Sequence, residues 1–188
     1  MARYNYLAEV KKAARTIAKN DTLIIQRDGD NIYICNSYYI AKVPVALYEA
    51  AFRTVSPRFV ELATDKVVRA NNKNELPTVT VGLDINNLLP RLYDFEPAEM
   101  TPFTMDNSDG KKLRVFFSSE NQIYVYDDFV QTLKVFASGQ VYGKTCKMPI
   151  FTDFANDTAI MICPVNVQNY GRFQLINTDN TGKKVNAA

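Results

Sequence analysis

The residue types that most often carry chemistry are scarce in this chain. Among 188 residues there is no histidine. That removes Ser-His-Asp and Cys-His catalysis, His-ligated zinc, and the usual general base near neutral pH. The three cysteines, Cys35, Cys146 and Cys163, are far apart and form no C-x-x-C. They cannot build a four-cysteine zinc site on their own. Each sits in an apolar run, which reads as a reduced, buried thiol, although distance in sequence leaves a disulfide open. Neither G-x-x-x-x-G-K-[ST] nor G-x-G-x-x-G occurs, and seven glycines make backbone phosphate cradles improbable. Aspartates gather at Asp28/Asp30 and Asp106/Asp109. Such oxygens could hold a hard cation, but neither pair is followed by the distal Glu of a calcium loop, and the glycine beside each reads as a hairpin turn. Asp127 and Asp128 are adjacent and point in different directions at a helix start, so helix capping by Asp127 explains them better than acid–base chemistry. The expectation is a protein that is not an enzyme and needs no cofactor or metal. A carboxylate enzyme would need a pocket holding two or more acids with shifted pKa values.

Binding residues are easier to find. From Tyr6 to Asn20 the chain has helical period: Leu7, Val10, Ala14 and Ile17 recur at spacings of three and four, with Ala13 and Ala18 beside them. Lys11, Arg15 and Lys19 recur every four residues on another face, flanked by Lys12. The bland explanation is a solvated helix face. Tyrosines cluster at Tyr33, Tyr38 and Tyr39 and at Tyr124 and Tyr126. Exposed rings beside basic residues could stack single-stranded bases, but half-buried strand positions are the commoner use. With 22 basic and 20 acidic residues the formal charge is +2, so any nucleic-acid surface must come from local clustering.

The elements that would position these residues alternate. Thr22–Arg27, Asn31–Cys35 and Tyr38–Val43 read as strands, with turns at Asp28-Gly29-Asp30 and Asn36-Ser37. Pro44 fits the first turn of a helix over Val45–Thr54. Phe59–Ala63 and Lys66–Arg69 read as short strands, and Thr78–Val81 as another. Residues 86–102 carry Pro90, Pro97 and Pro102 and read as a crossing segment without long helices. Lys112–Ser118 and Asn121–Tyr126 are strands, followed by a helix from Asp127 to near Ala137 with Phe129, Val130, Leu133, Phe136 and Ala137 on its apolar side. Gln140–Cys146, Ile150–Phe154 and Ala159–Pro164 close as strands. The order of elements therefore repeats, without a repeat in sequence.

Length and composition suit one domain, with a hydrophobic share of 47%. The expected division is one domain over 1–168, with half-units near 1–85 and 103–168 joined by 86–102, and a polar tail over 169–188. The basic N-terminal segment lacks the pattern of a secretory signal, and no apolar run approaches the ~20 residues that span a bilayer. Cytoplasmic residence, without membrane association, is the expectation.

The stretch NQIYVYDDFVQTLKVFASGQVYGKTCKMPIFTDFANDTAIMICPVNV, residues 121–167, resembles the end of a domain of the bacterial DNA sliding clamps. There a strand leads into a helix of the form Tyr-Leu-x-x-Leu, matched here by Phe129 and Leu133. A proline precedes an apolar strand, as in Met148-Pro149-Ile150, and the closing strand ends in an apolar-Pro-apolar triplet, as in Cys163-Pro164-Val165. The segment DGDNIYICNSYYIAKVP, residues 28–44, is similar to a clamp hairpin. The resemblance covers roughly residues 5–168 at the level of pattern.

It implies an α+β, clamp-like fold of two βαβββ units, with paired helices on one face of curved antiparallel sheets. It implies that Lys11, Lys12, Arg15 and Lys19 contact the phosphates of double-stranded DNA without reading sequence. It implies that Cys163, Pro164 and Val165 lie near a groove for an extended peptide of a polymerase or other client, against the simpler reading that Pro164 only ends a strand. A clamp ring needs several such domains, so self-association into a homo-oligomer is implied. A small clamp-like protein of this kind fits a phage or mobile element, as a processivity or tethering factor. The second helix departs from the pattern, since it carries Asp127, Asp128 and only one lysine, Lys134. Cys163 stands where bacterial clamps usually have methionine. The alternative is a protein–protein interaction module that keeps the fold without binding DNA.

Overall fold

Strand and helix periods in the sequence translate directly into two layers. The computed structural model describes residues 5–19, 22–61, 67–71, 78–79, 96–119, 121–143, 150–153, 155–165, 167 and 175–177. It begins with helix α1 (Tyr6–Ala18), followed by strands β1 (Leu23–Asp28), β2 (Asn31–Cys35) and β3 (Tyr39–Pro44). Helices α2 (Val45–Phe52) and α3 (Pro57–Glu61) come next, then short strands β4 (Val68–Ala70), β5 (Thr78–Val79) and β6 (Glu96–Pro97). Strands β7 (Glu99–Asp106), β8 (Lys112–Ser118) and β9 (Asn121–Tyr126) lead into α4 (Asp127–Leu133) and a 3-10 turn over Lys134–Phe136. The chain closes with β10 (Val141–Gly143), β11 (Ile150–Asp153), β12 (Thr158–Ile162) and β13 (Leu175–Asn177).

Among the described residues, nine strands form one sheet in the order β5-β4-β1-β2-β3-β12-β11-β10-β6, and four form a second in the order β13-β7-β8-β9. Every pairing among the described residues is antiparallel. The centre of the large sheet has internal symmetry of order. A helix and three strands (α1, β1, β2, β3) meet a second helix and three strands (α4, β10, β11, β12), with the last strands side by side. The seam pairs Ile40 with Met161 and Ala41 with Ile160. Helix α1 packs against α4 and its 3-10 turn, and also against α2. The molecule is thus α+β, with two helix-plus-three-strand units and adjacent helices. The leading strand expected before α1 would fall outside the described residues.

Alternation sets which side chains face the helices. In β3, Tyr39, Ala41 and Val43 are buried and the residues between them are half-buried. Their partners Ile162, Ile160 and Ile32 are buried on the same face. One core cluster joins these to Val10, Ala14 and Ile17 of α1 and to Val130, Leu133 and Phe136 around α4. Strand β8 serves two clusters. Phe116 joins the main core, whereas Leu113 and Val115 form a smaller one with Met105.

Several expectations need correction. Phe59 lies in α3, not a strand, and is fully buried there. Pro44 is the last residue of β3 and the N-cap of α2, with φ −56° and ψ 141°, rather than part of its first turn. Leu7 is 40% exposed and leaves the apolar stripe of α1 at its first turn. The second helix gives way to a 3-10 turn at Lys134. The crossing segment 86–102 holds strand β6 and the start of β7 in its described part. The turns stand as expected. Gly29 has φ +55° between β1 and β2, and Gly110 has φ +70° between β7 and β8, a backbone region that glycine enters at little cost. Met148, Pro149 and Cys146 lie outside the described residues.

Candidate functional site

Helix α1 is started by Asn5, whose side chain accepts a hydrogen bond from the Ala8 N–H at 3.1 Å. Its inner side carries Val10, Ala13, Ala14, Ile17 and Ala18. The period then forces the basic residues outward. Lys12, Arg15 and Lys19 are exposed and Lys11 is half-buried. Among the described residues none of the four is held in an ion pair. Arg15 lies in the last turn, where a cation suits the negative end of the helix dipole.

The neighbouring helix differs in charge. Asp127 was expected as the N-cap of α4, but Tyr126 occupies that position and makes no side-chain cap bond. Instead Arg114 Nε donates to the Asp127 carboxylate at 2.7 Å, and Arg114 Nη1 donates to the Thr101 carbonyl at 3.2 Å. A largely buried guanidinium needs a counter-charge, and this outweighs capping. Asp128 stays exposed, so α4 is no second basic helix.

The Cys163-Pro164-Val165 triplet bridges the two sheets. Strand β12 ends at Ile162, so Pro164 does lie beyond a strand end. The Cys163 N–H donates to the Tyr38 carbonyl at 2.8 Å, and the Val165 N–H donates to the Tyr124 carbonyl at 2.7 Å. Proline between them has no N–H to place. A shallow cleft of about 280 Å³ opens against the triplet, walled by Tyr38, Tyr126 and Phe129. A second cleft of about 380 Å³ shares those rings and is bordered by Thr16 of α1, Lys111, Lys112 and Asp128.

The rings form a compact group. Phe129 stacks on Tyr38 with centroids 5.4 Å apart and planes 25° apart. Tyr126 meets Phe129 edge-on at 6.3 Å. The Lys111 ammonium sits 5.4 Å from the centre of the Tyr126 ring, within cation–π range. Tyr33 and Tyr39 are buried strand residues, as the commoner reading had it, but Tyr38 is 52% exposed. Tyr38 and Tyr126 are visible as candidates in the sequence, but their grouping with Lys111, Lys112 and Phe129 is not. Only contacts between distant segments bring these together.

Cys35 and Cys163 are half-buried. Burial raises the pKa of both, and the nearby Cys163 raises that of Cys35 further. Both are therefore protonated near neutral pH. No group of three or more His, Cys, Asp or Glu side chains is placed to hold a metal among the described residues. Nor is any helix among them long and apolar enough to cross a membrane.

No protein-family model matches the chain, and no curated protein matches it. Among solved structures it is similar to a protein assigned as a DNA polymerase III beta subunit from Eubacterium rectale, at 14% identity and a TM-score of 0.41, over 87% of this chain and 64% of that one. It is similar to DNA polymerase III subunit beta from Borrelia burgdorferi, at 8% identity and a TM-score of 0.39, over 89% of this chain and 67% of that one. It is also similar to A. fulgidus PCNA with the C-terminal region of FEN-1 bound, at 9% identity and a TM-score of 0.36, over 86% of this chain and 96% of that one. The chain thus spans less than two thirds of the length of the Eubacterium rectale protein.

Proposed function

We propose that this protein is a non-enzymatic, clamp-like tether that rests the basic face of α1 on the backbone of double-stranded DNA. The observation behind this reading is the outward face of α1. Lys11, Lys12, Arg15 and Lys19 share it, and no described acidic side chain neutralises them. Phosphates would attract such a face without regard to base sequence. In this reading residues 1–168 form one domain with half-units near 1–85 and 103–168, and 169–188 are a tail. A single such domain does not encircle a duplex, so the tether works as a homo-oligomer or as an adaptor. Phage or mobile-element replication is the setting it fits, in the cytoplasm. Binding to a plain duplex at two salt concentrations tests the reading. Four phosphate contacts give a log–log salt slope of about −3.6. Replacing Lys11, Arg15 and Lys19 together with glutamine, which preserves helix propensity, should abolish binding while the circular dichroism stays unchanged. Duplex binding that ignores salt, or that survives the triple replacement, would overturn it.

A second reading has its own support. The cleft at Cys163, Pro164 and Val165 is walled by aromatic rings, and its described lining has no charged side chain. Such a surface suits an extended apolar peptide from a polymerase or another client. If the folded chain binds no duplex at low salt, an interaction module becomes the better description.

A further inference from the structure

The cleft beside α1 differs from the Pro164 cleft in being charged. Its floor is the Tyr38, Tyr126 and Phe129 group, and its rim carries Lys111 and Lys112 against one acid, Asp128. Thr16 of α1 also borders it, with the Thr16 hydroxyl donating to the Lys12 carbonyl one turn back at 3.4 Å. Helical spacing puts Lys12 and Lys19 one turn to either side of Thr16. The cleft therefore opens along the edge of the basic face.

Tyr38 is built as a platform. Its N–H donates to the Asn36 side-chain oxygen at 2.8 Å, and its carbonyl accepts from Cys163 at 2.8 Å. Phe129 stacks against its ring. The ring is thus pre-positioned although it is 52% exposed, and little entropy is lost when something stacks on it. A flat aromatic surface beside two lysines complements a base with its flanking phosphates. The described lining of the Pro164 cleft offers a phosphate no cation, which separates the two occupants.

We propose that the cleft bordered by Thr16, Tyr38, Lys111, Lys112 and Phe129 binds single-stranded nucleic acid, one base stacking on Tyr38 and the adjoining phosphates meeting Lys111 and Lys112. The strand's approach along α1 rests on the reading of that helix as the nucleic-acid face. The stacking site itself does not depend on it.

The test is fluorescence anisotropy of the full chain with a labelled single-stranded oligothymidine and, in parallel, a duplex of the same length. The single strand should bind, and Tyr38→Ala should weaken it by about 5- to 150-fold while Tyr38→Phe keeps it. Lys111→Gln with Lys112→Gln should reduce the single-strand salt slope by about 1.4. Duplex affinity should not change in Tyr38→Ala, and circular dichroism checks that each variant folds. No single-strand binding, or binding indifferent to Tyr38→Ala, overturns the proposal. Duplex binding without single-strand binding overturns it and leaves the α1 reading standing. Tyr38-dependent single-strand binding without duplex binding sustains it while the α1 reading fails. An apolar peptide that occupies the rings in a chain that ignores the oligonucleotide also counts against it.

Discussion

Asp153 is 7% exposed, and burial alone would favour its neutral form. The opposite holds, because its carboxylate collects donors. The Asn156 side-chain amide at 2.6 Å is the strongest influence and holds the pKa below the usual carboxylate range. Burial opposes this, and the Ser138 hydroxyl at 3.1 Å and the N–H groups of Asn156 and Ala155 add to the lowering. A depressed folded pKa stabilises the protein above the unfolded value of about 3.9, and this stability is lost as pH falls through the folded value. Urea unfolding should therefore find Asp153→Asn less stable than the parent at pH 7, with the gap narrowing as pH falls below about 3.9. Tyr48 makes a second local case. Its hydroxyl donates to the Phe59 carbonyl at 2.7 Å in a fully buried setting. Tyr48→Phe removes that buried hydrogen bond and should cost about 1–2 kcal/mol in the same assay. Such contacts were not legible beforehand. The turn residues Gly29, Asn36 and Gly110 were, because they act on their own backbone. Asp127 misled because its decisive partner, Arg114, lies on another strand.

Elements were readable where their period ran long enough. Helix α1 has thirteen residues, and its two faces follow from spacing alone. Helix α3 has five, too few for a period to declare itself, so Phe59 passed for a strand residue. The junction of β8, β9 and α4 depends on the Arg114–Asp127 pair, whose side chains are 11% and 15% exposed. Removing one partner strands the other charge in a mostly dry site. Asp127→Ala should cost about 2–4 kcal/mol, toward the low side of buried pairs because some solvent reaches both groups. The exposed neighbour is the control, and Asp128→Ala should change stability by less than about 0.5 kcal/mol. Chemical denaturation of the two variants checks this. If Arg114→Met with Asp127→Ala is as stable as the parent, the pair serves geometry more than stability. The basic face of α1 was visible in the sequence, whereas the aromatic cleft beside it needed three separate segments to meet.

At the scale of the molecule, the two helix-plus-three-strand units share more than a border. The main core cluster includes Ile17, Ile25 and Ile34 from the first unit and Val130, Phe151 and Ile162 from the second. They belong to one continuous cluster, so neither unit can unfold without exposing the other's core. The order of elements made the repeat legible, but the pairing of β3 with β12 joins residues far apart in the chain and no local signal announces it. That seam makes a sharp prediction about cooperativity. Ile160 is fully buried opposite Ala41, at the centre of the seam. Ile160→Ala removes three methyl-sized groups where neighbouring strands restrict collapse, and should cost about 2–5 kcal/mol. If the units share one core, the loss appears as a single unfolding transition at lower denaturant, seen equally by circular dichroism and tyrosine fluorescence. The backbone amides of β3 and β12 should then exchange only through global opening, among the slowest in the molecule. Two separated transitions, or fast exchange confined to β12 in the parent protein, would mean that the units fold independently and that the seam is a contact between finished halves.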